Sequence, residues 1–160
     1  MKILNFFAAV LCAVVLFSSF AYAGMGKEDI DILREQLSEH SLVVIRDGKT
    51  EVYDGRGIKP LVDYVRDKNF EDAYAGDKVI GKASALLFVY GGAKYVYTPL
   101  ISKPAVEVFK KHSVKYSADR VVDNIKNRKG DDLCPMEKKV SSTDSPEEAY
   151  KLFDKIYSEE

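Results

Sequence analysis

The stretch "DKVIGKASALLFVYGG", residues 77–92, predicts the element around which the rest of the chain folds. Residues 78–90 favour an α-helix that is apolar on nearly every side, with Asp77 available as its N-cap and Gly91-Gly92 as its end. A helix that is hydrophobic all round is covered by other elements over most of its surface. The sequence therefore predicts a central, buried helix.

The chain before this helix predicts a helix, a hairpin and a second helix. Asp47-Gly48 lies between two β-rich runs, and this dipeptide is typical of hairpin turns because both positions tolerate positive φ. Pro60 is a residue favoured in the first turn of a helix. The predicted order is a helix over residues 28–40, a hairpin over 41–55, a short helix over 60–68 and a connector over 70–76.

The chain after the central helix alternates strand-like and helix-like segments. The predicted elements are a strand over 93–101, a helix over 102–112, a strand over 113–118, a helix over 119–129, a turn or short helix from residue 134 and a capped helix over 146–157. Ser145, Pro146 and Glu148 give the last helix a capping-box start. A hairpin followed by strand–helix units predicts a mixed sheet with helices on both faces, a three-layer α/β/α sandwich.

Residues 1–23 have the pattern of a signal peptide. Lys2 precedes an apolar run that is short for a membrane span, and Ala21–Ala23 fits the small-x-small rule for cleavage. The alternatives are an uncleaved membrane anchor and a translation start at Met25. The prediction is export to the periplasm or beyond the cell, or a cytoplasmic location if translation starts at Met25. Residues 24–160 are predicted to form one domain without a stable membrane span.

The composition argues against several functions. The formal net charge is −1, unlike the strongly basic surfaces that bind nucleic-acid polymers. Cys134 is the one cysteine after residue 23, so no internal disulfide is expected. His40, His112 and Cys134 lack the spacing that places zinc ligands on one face. The sequence therefore predicts neither a metal nor a cofactor.

The segment from Leu42 to Glu137 resembles a known family. The most specific stretches are "GKASALL" (81–87), "YTPLISKPA" (97–105) and "LCPME" (133–137). They are similar to a bacterial and archaeal domain-of-unknown-function family, DUF1893, whose fold is similar to that of cytidine deaminases. The resemblance implies a cytidine-deaminase-like fold for this chain, and it implies no particular reaction.

The zinc chemistry of cytidine deaminases does not carry over with that fold. Those enzymes use zinc to activate a water and a glutamate to move protons, with ligands in His-x-Glu on the central helix and in Pro-Cys-x-x-Cys on the next. No His or Glu lies between Asp77 and Tyr90. After Pro104, Ala105 and Val108 stand at the two cysteine positions. Zinc-dependent deaminase activity is therefore not expected.

Five polar residues near the central helix are candidate ligand-binding groups. Lys82 interrupts the apolar helix near its N-terminus, beside Ser84, where a phosphate or carboxylate would be stabilised. Lys103 begins the next helix, flanked by Thr98 and Ser102, near the strand ends where ligands gather in α/β folds. The alternatives are a lysine whose amine reaches solvent, a Ser102 that only caps a helix and a Thr98 that pairs in a strand.

Cys134 is a candidate nucleophile. It precedes Pro135, which predicts a position at or next to a helix N-cap, where a helix dipole favours a thiolate. No histidine near it in sequence supplies a base, and a buried or half-buried structural cysteine is the alternative. Glu137 is predicted to stabilise the start of the same helix.

These observations predict a non-catalytic domain that binds a small anionic or nucleotide-like ligand. One alternative is a thiol-dependent enzyme or redox protein that uses Cys134. The other is a structural or partner-binding protein, for which a homo-oligomer is one possible form.

Overall fold

The computed structural model describes residues 25–159, so the predicted signal peptide over residues 1–23 lies outside the described residues. The helices are α1 (Lys27–Glu39), α2 (Lys59–Asp67), α3 (Lys82–Tyr90), α4 (Lys103–Lys111), α5 (Pro135–Lys139) and α6 (Pro146–Ser158). The strands are β1 (Leu42–Arg46), β2 (Lys49–Tyr53), β3 (Ala73–Asp77), β4 (Tyr95–Ser102) and β5 (Lys115–Val122). Within this part of the chain, no helix is both long enough and apolar enough to cross a membrane.

The five described strands form a mixed sheet in the order β2-β1-β3-β4-β5. β1 pairs antiparallel with β2 and with β3, whereas β3, β4 and β5 run parallel. Asp47 and Gly48 both have positive φ in the turn between β1 and β2, as the hairpin prediction requires. The predicted α/β class with a mixed sheet flanked by helices is confirmed.

Helices cover both faces of this sheet. On one face, Leu33 and Leu37 of α1 pack against Val43, Ile45 and Tyr97 of the strands. On the other face lies a larger core, to which α2, α3, α4 and α6 contribute. The sheet is therefore the middle layer of three.

The central helix predicted from the sequence is confirmed as α3. Residues 83–88 are all buried, because α2, α4 and α6 pack around this helix. The helix begins later than predicted, since Ile80 first forms a parallel bridge with Ile101 of β4. The predicted N-cap is wrong: Gly81 is the N-cap, and Asp77 ends β3.

The connector predicted over residues 70–76 is wrong, because β3 begins at Ala73 and lies in the middle of the sheet. Its residues are mostly small, so the strand lacks the alternating β-branched side chains from which strands are usually predicted. A Cβ on Gly76 would lie 2.9 Å from Cδ1 of Leu37, so the close approach of α1 requires glycine here. Close packing against α1 therefore requires a residue at this position that has a low intrinsic β propensity.

The helix predicted over residues 119–129 is also wrong. β5 instead continues to Val122, paired with β4 to its last residue. On the α1 side, the Asp119 carboxylate accepts hydrogen bonds from the Arg34 guanidinium at 2.9 Å and from the Tyr97 hydroxyl at 2.7 Å. Pairing and contacts with distant residues therefore outweigh the helical period of the local sequence.

The last two helices begin where the sequence predicts. Cys134 occupies the N-cap position of α5, with Pro135 in its first turn. The Ser145 side chain caps α6 by accepting the N–H of Glu148 at 3.3 Å. α6 then packs against α2 and α3.

Candidate functional site

The candidate site lies at the carboxyl end of β3, where this strand separates from its neighbour β4. Pairing between these strands stops after Tyr97 and resumes where Ile80 meets Ile101. In the interval, the Thr98 hydroxyl donates to the carbonyl oxygen of Leu100 at 3.0 Å and accepts the Leu100 N–H at 3.2 Å. The chain therefore leaves the sheet between Asp77 and Ile80, at the carboxyl end of β3, which is the edge where ligands bind in open α/β sheets.

The N-terminus of α3 is capped by a side chain from a distant part of the chain. The Glu137 carboxylate accepts the N–H of Lys82 at 2.9 Å and that of Ala83 at 3.1 Å. A Cβ on Gly81 would lie 2.3 Å from Oε1 of Glu137, so glycine makes room for this carboxylate. The negative charge of this carboxylate also interacts favourably with the partial positive charge at the helix N-terminus. Glu137 therefore stabilises α3, whereas the sequence predicts a role at the start of α5.

A cavity of 420 Å³ lies beside this contact. It is bounded by the end of β3, the start of α3, the loop before α2, α5 and the loop before α5. Its polar lining includes Ser41, Asp77, Ser84, Arg128, Cys134 and Glu137. These residues come from three separate parts of the chain, around residues 41, 77–84 and 128–137, and the fold brings those parts together.

Asp77 has an altered acidity in this cavity. Burial raises the pKa of its carboxyl group to about 7, and this effect outweighs the N–H of Val79, which lowers the pKa by donating to the carboxylate at 3.0 Å. Both protonation states are therefore populated near neutral pH. Asp77 can accept a proton from a ligand or donate one to it under those conditions.

Arg128 adds a positive charge at the exposed edge of the cavity. Within residues 25–159, its guanidinium has neither a hydrogen-bond partner nor an ion-pair partner. A guanidinium in this state can bind a phosphate or carboxylate through two parallel hydrogen bonds. The sequence prediction missed this residue because it placed Arg128 on a helix that the protein does not form.

The structure places only Ser84, of the five predicted ligand-binding residues, in this cavity. Lys82 points elsewhere and forms an ion pair with Asp144 at 2.8 Å. Lys103 is exposed and forms an ion pair with Asp123 at 2.7 Å. The other two, Thr98 and Ser102, are fully buried in local hydrogen bonds, and Ser102 caps α4 by accepting the N–H of Ala105 at 3.3 Å.

Cys134 is half-buried and lines the same cavity as Asp77. It is a free cysteine, and its side chain makes no capping hydrogen bond to α5. Its backbone N–H donates to the carbonyl oxygen of Ile125 at 2.9 Å, which fixes the residue against the preceding loop. No group of three or more His, Cys, Asp or Glu side chains in the described part of the chain is arranged to hold a metal ion.

Comparison with known families identifies the chain. A model described as "Domain of unknown function (DUF1893)" matches residues 30–156. The chain belongs to the DUF1893 family. A crystal structure of a DUF1893 family protein from Thermotoga maritima superposes with a TM-score of 0.71 and 26% identity, over 79% of this chain and 85% of that one. No curated protein matches the chain.

DUF1893 membership confirms the family resemblance that "GKASALL", "YTPLISKPA" and "LCPME" indicate. Two of those stretches meet in the structure, because Gly81 of the first leaves space for Glu137 of the third. The further resemblance to cytidine deaminases stays a prediction. The family is defined without a function.

Proposed function

We propose that this DUF1893 protein binds a small nucleotide-like molecule in the cavity beside α3, without zinc-dependent catalysis. The supporting observation is that one cavity of 420 Å³ combines Asp77, Ser84 and Arg128 from three separate segments. Small-molecule sites commonly have volumes in this range, with a few polar groups placed among apolar ones. The apolar part here includes Ile58, Val79 and Met136.

The polar groups suit the two ends of such a ligand. Asp77 and Ser84 offer donors and acceptors to a polar ring, because the raised pKa of Asp77 keeps part of its carboxyl population protonated at neutral pH. Arg128 offers its guanidinium to a phosphate or carboxylate. The first amides of α3 are bound to Glu137, so the anionic end of the ligand is assigned to Arg128 rather than to the helix N-terminus.

A thermal-shift panel of nucleotides, nucleosides and sugar phosphates tests this proposal. A ligand that binds only the folded state raises the melting temperature, by an amount that grows with its concentration above Kd. Arg128→Gln is expected to weaken binding of a phosphorylated ligand about tenfold or more, because a charge-assisted hydrogen bond is lost. It should leave binding of the matching nucleoside nearly unchanged.

Lys129→Gln is the matched control. It removes one positive charge from the neighbouring exposed residue, which does not line this cavity. Equal weakening by both substitutions would indicate attraction by overall charge and would contradict a specific contact with Arg128. The proposal also fails if no compound of the panel raises the melting temperature.

A thiol-dependent reaction is the second candidate function, favoured by the position of Cys134 and Asp77 in one cavity. In this mechanism the sulfur forms a bond to an electrophilic carbon, a leaving group departs and the thiol proton passes to the Asp77 carboxylate. Iodoacetamide is a suitable probe because its alkylation of sulfur releases iodide.

The alkylation rate of Cys134 is expected to rise as the pH passes through 7, where Asp77 loses its proton and becomes a base. Asp77→Asn should remove that rise, because asparagine cannot accept the thiol proton. A profile that is the same in both proteins would exclude Asp77 as the base. Peptide mapping after alkylation identifies the modified cysteine.

A further inference from the structure

A second cavity lies on another side of α3 and shares no lining residue with the first. It has a volume of 210 Å³ and lies between the start of α3, α4 and the loop before α6. Its charged and titratable lining consists of Lys82, Glu107, Lys111, His112 and Asp144. Three of these five side chains can carry positive charge, so several hydrogen-bond donors surround one small cavity.

The first observation that points to a ligand in this cavity is an unpaired polar atom of His112. Its Nε2 atom is buried, and no hydrogen-bond partner for it exists among residues 25–159. A buried polar atom without a partner costs folding free energy, so such atoms are rare and call for an explanation. A bound group with an acceptor oxygen at this position would satisfy a protonated Nε2.

Lys82 and Asp144 are the second sign. The Lys82 side chain is only 17% exposed, and its amine lies 2.8 Å from the carboxylate of Asp144. The Asp144 side chain is 68% exposed and belongs to the loop before α6. The pKa of Asp144 is lowered by its hydrogen bond with Lys82 and by the charges of Lys82 and Lys111. A carboxylate from the protein thus already pairs with the Lys82 amine at this cavity.

We propose that this cavity is a binding site for a small oxyanion of the phosphate class, which displaces the Asp144 carboxylate. Lys82, Lys111 and His112 supply its hydrogen-bond donors, and the oxyanion gives the buried Nε2 of His112 an acceptor. Asp144 is able to leave because it is mainly exposed and its loop lies outside the core. This site is independent of the proposed nucleotide-like ligand, because the two cavities have different linings.

Glu107 determines which oxyanion is preferred. Glu107 is one of the lining residues, and its carboxylate accepts a hydrogen bond from Lys110 at 3.0 Å. A phosphate that retains a proton can donate to this carboxylate, whereas sulfate at the same pH carries no proton to donate. We therefore expect inorganic phosphate to bind more tightly than sulfate.

Histidine NMR provides a direct test, since the sequence contains two histidines. Inorganic phosphate is titrated into the purified protein at constant pH and ionic strength, and the imidazole signals of His40 and His112 are followed. His40 serves as an internal reference because its Nδ1 lies 2.8 Å from the Asp54 carboxylate, away from this cavity. The expected result is a saturable shift of the His112 signal alone, and His112→Gln identifies that signal by removing it.

Asp144→Asn is the decisive variant, because it removes the competing carboxylate charge from an exposed position. Phosphate affinity is expected to rise about threefold or more in this variant and to fall about tenfold in Lys82→Met, which retains the apolar stem. Lys103→Met is the matched control: it removes a lysine from a similar ion pair, with Asp123, outside the cavity.

Three outcomes overturn the proposal. They are a His112 signal that does not shift saturably with phosphate, an Asp144→Asn protein that binds phosphate no better than the original, and a loss in Lys103→Met equal to that in Lys82→Met. Arg128→Gln is expected to leave phosphate binding at this site unchanged, so a failure here is distinguishable from a failure of the nucleotide-like ligand proposal.

Discussion

Replacing Glu137 with alanine is expected to lower the free energy of unfolding by about 2–3 kcal/mol, because two hydrogen bonds to a carboxylate are lost. The N–H groups of Lys82 and Ala83 then lose their acceptor at the start of α3. The favourable interaction between the carboxylate and the helix dipole is lost as well. Urea denaturation followed by circular dichroism, with linear extrapolation to water, measures the change.

Glu137→Gln is the matched variant for this prediction. Its amide keeps one oxygen acceptor and removes the charge. The free energy of unfolding of this variant should therefore lie between that of the original protein and that of Glu137→Ala. Glu107→Ala removes an exposed carboxylate whose hydrogen bond is to Lys110 rather than to the amides of α3, and it should have little effect on stability. If Glu137→Ala is no more destabilising than Glu107→Ala, the docking of α5 on α3 contributes nothing measurable.

Replacing Phe88 with alanine is expected to have the largest effect, a loss of about 3–5 kcal/mol in the free energy of unfolding. Phe88 is fully buried in α3, and its ring lies between two others. The centroid of the Phe88 ring lies 5.0 Å from the ring centroid of Phe70 and 6.5 Å from that of Phe109. The substitution leaves a cavity between Phe70, in the loop after α2, and Phe109 of α4, and the surrounding side chains refill it only in part.

Tyr90→Ala provides the comparison for Phe88, because it removes an aromatic ring from the same helix. Tyr90 is 40% exposed and stacks on Tyr150 at a centroid distance of 4.1 Å. An exposed stacked pair contributes about 0.5–1.5 kcal/mol, so this loss should be clearly smaller. Losses of equal size in the two variants would contradict the central position of α3. Chemical denaturation of both proteins under one set of conditions gives the comparison.

The elements that sequence predicts correctly are those whose signals are local. The hairpin turn depends on Asp47-Gly48, where both residues adopt positive φ. The start of α6 depends on the Ser145 side chain and an amide three residues later. The buried character of α3 follows from a run of apolar residues on all its faces. In each case the residues that decide the structure are neighbours along the chain.

The elements that sequence misses depend on distant contacts. β3 is a central strand in which Gly76 is needed because Leu37 of α1 approaches it closely. β5 runs to Val122 because it pairs with β4, whereas its own sequence has a helical period. Neither signal exists within a local window of the sequence.

The candidate site follows the same division. Sequence identifies Ser84 and the N-cap position of Cys134, and both line the cavity. Sequence cannot reveal that Asp77 has a raised pKa, because the shift arises from burial in the folded protein. It also cannot reveal that Glu137 caps α3, since the two are more than fifty residues apart and meet only across the fold.

By itself, the sequence determined the α/β class, the buried central helix, the hairpin turn, the helix starts at Ser102 and Ser145, and the family. These features depend on periodicity, capping and short motifs, all of which are written in adjacent residues. The tertiary structure alone decided the strand order, the partner of Glu137 and the separation of Lys82 from the cavity that contains Ser84. The physical reason is that side chains on successive residues of a helix point in different directions, and only packing determines which cavity each one enters.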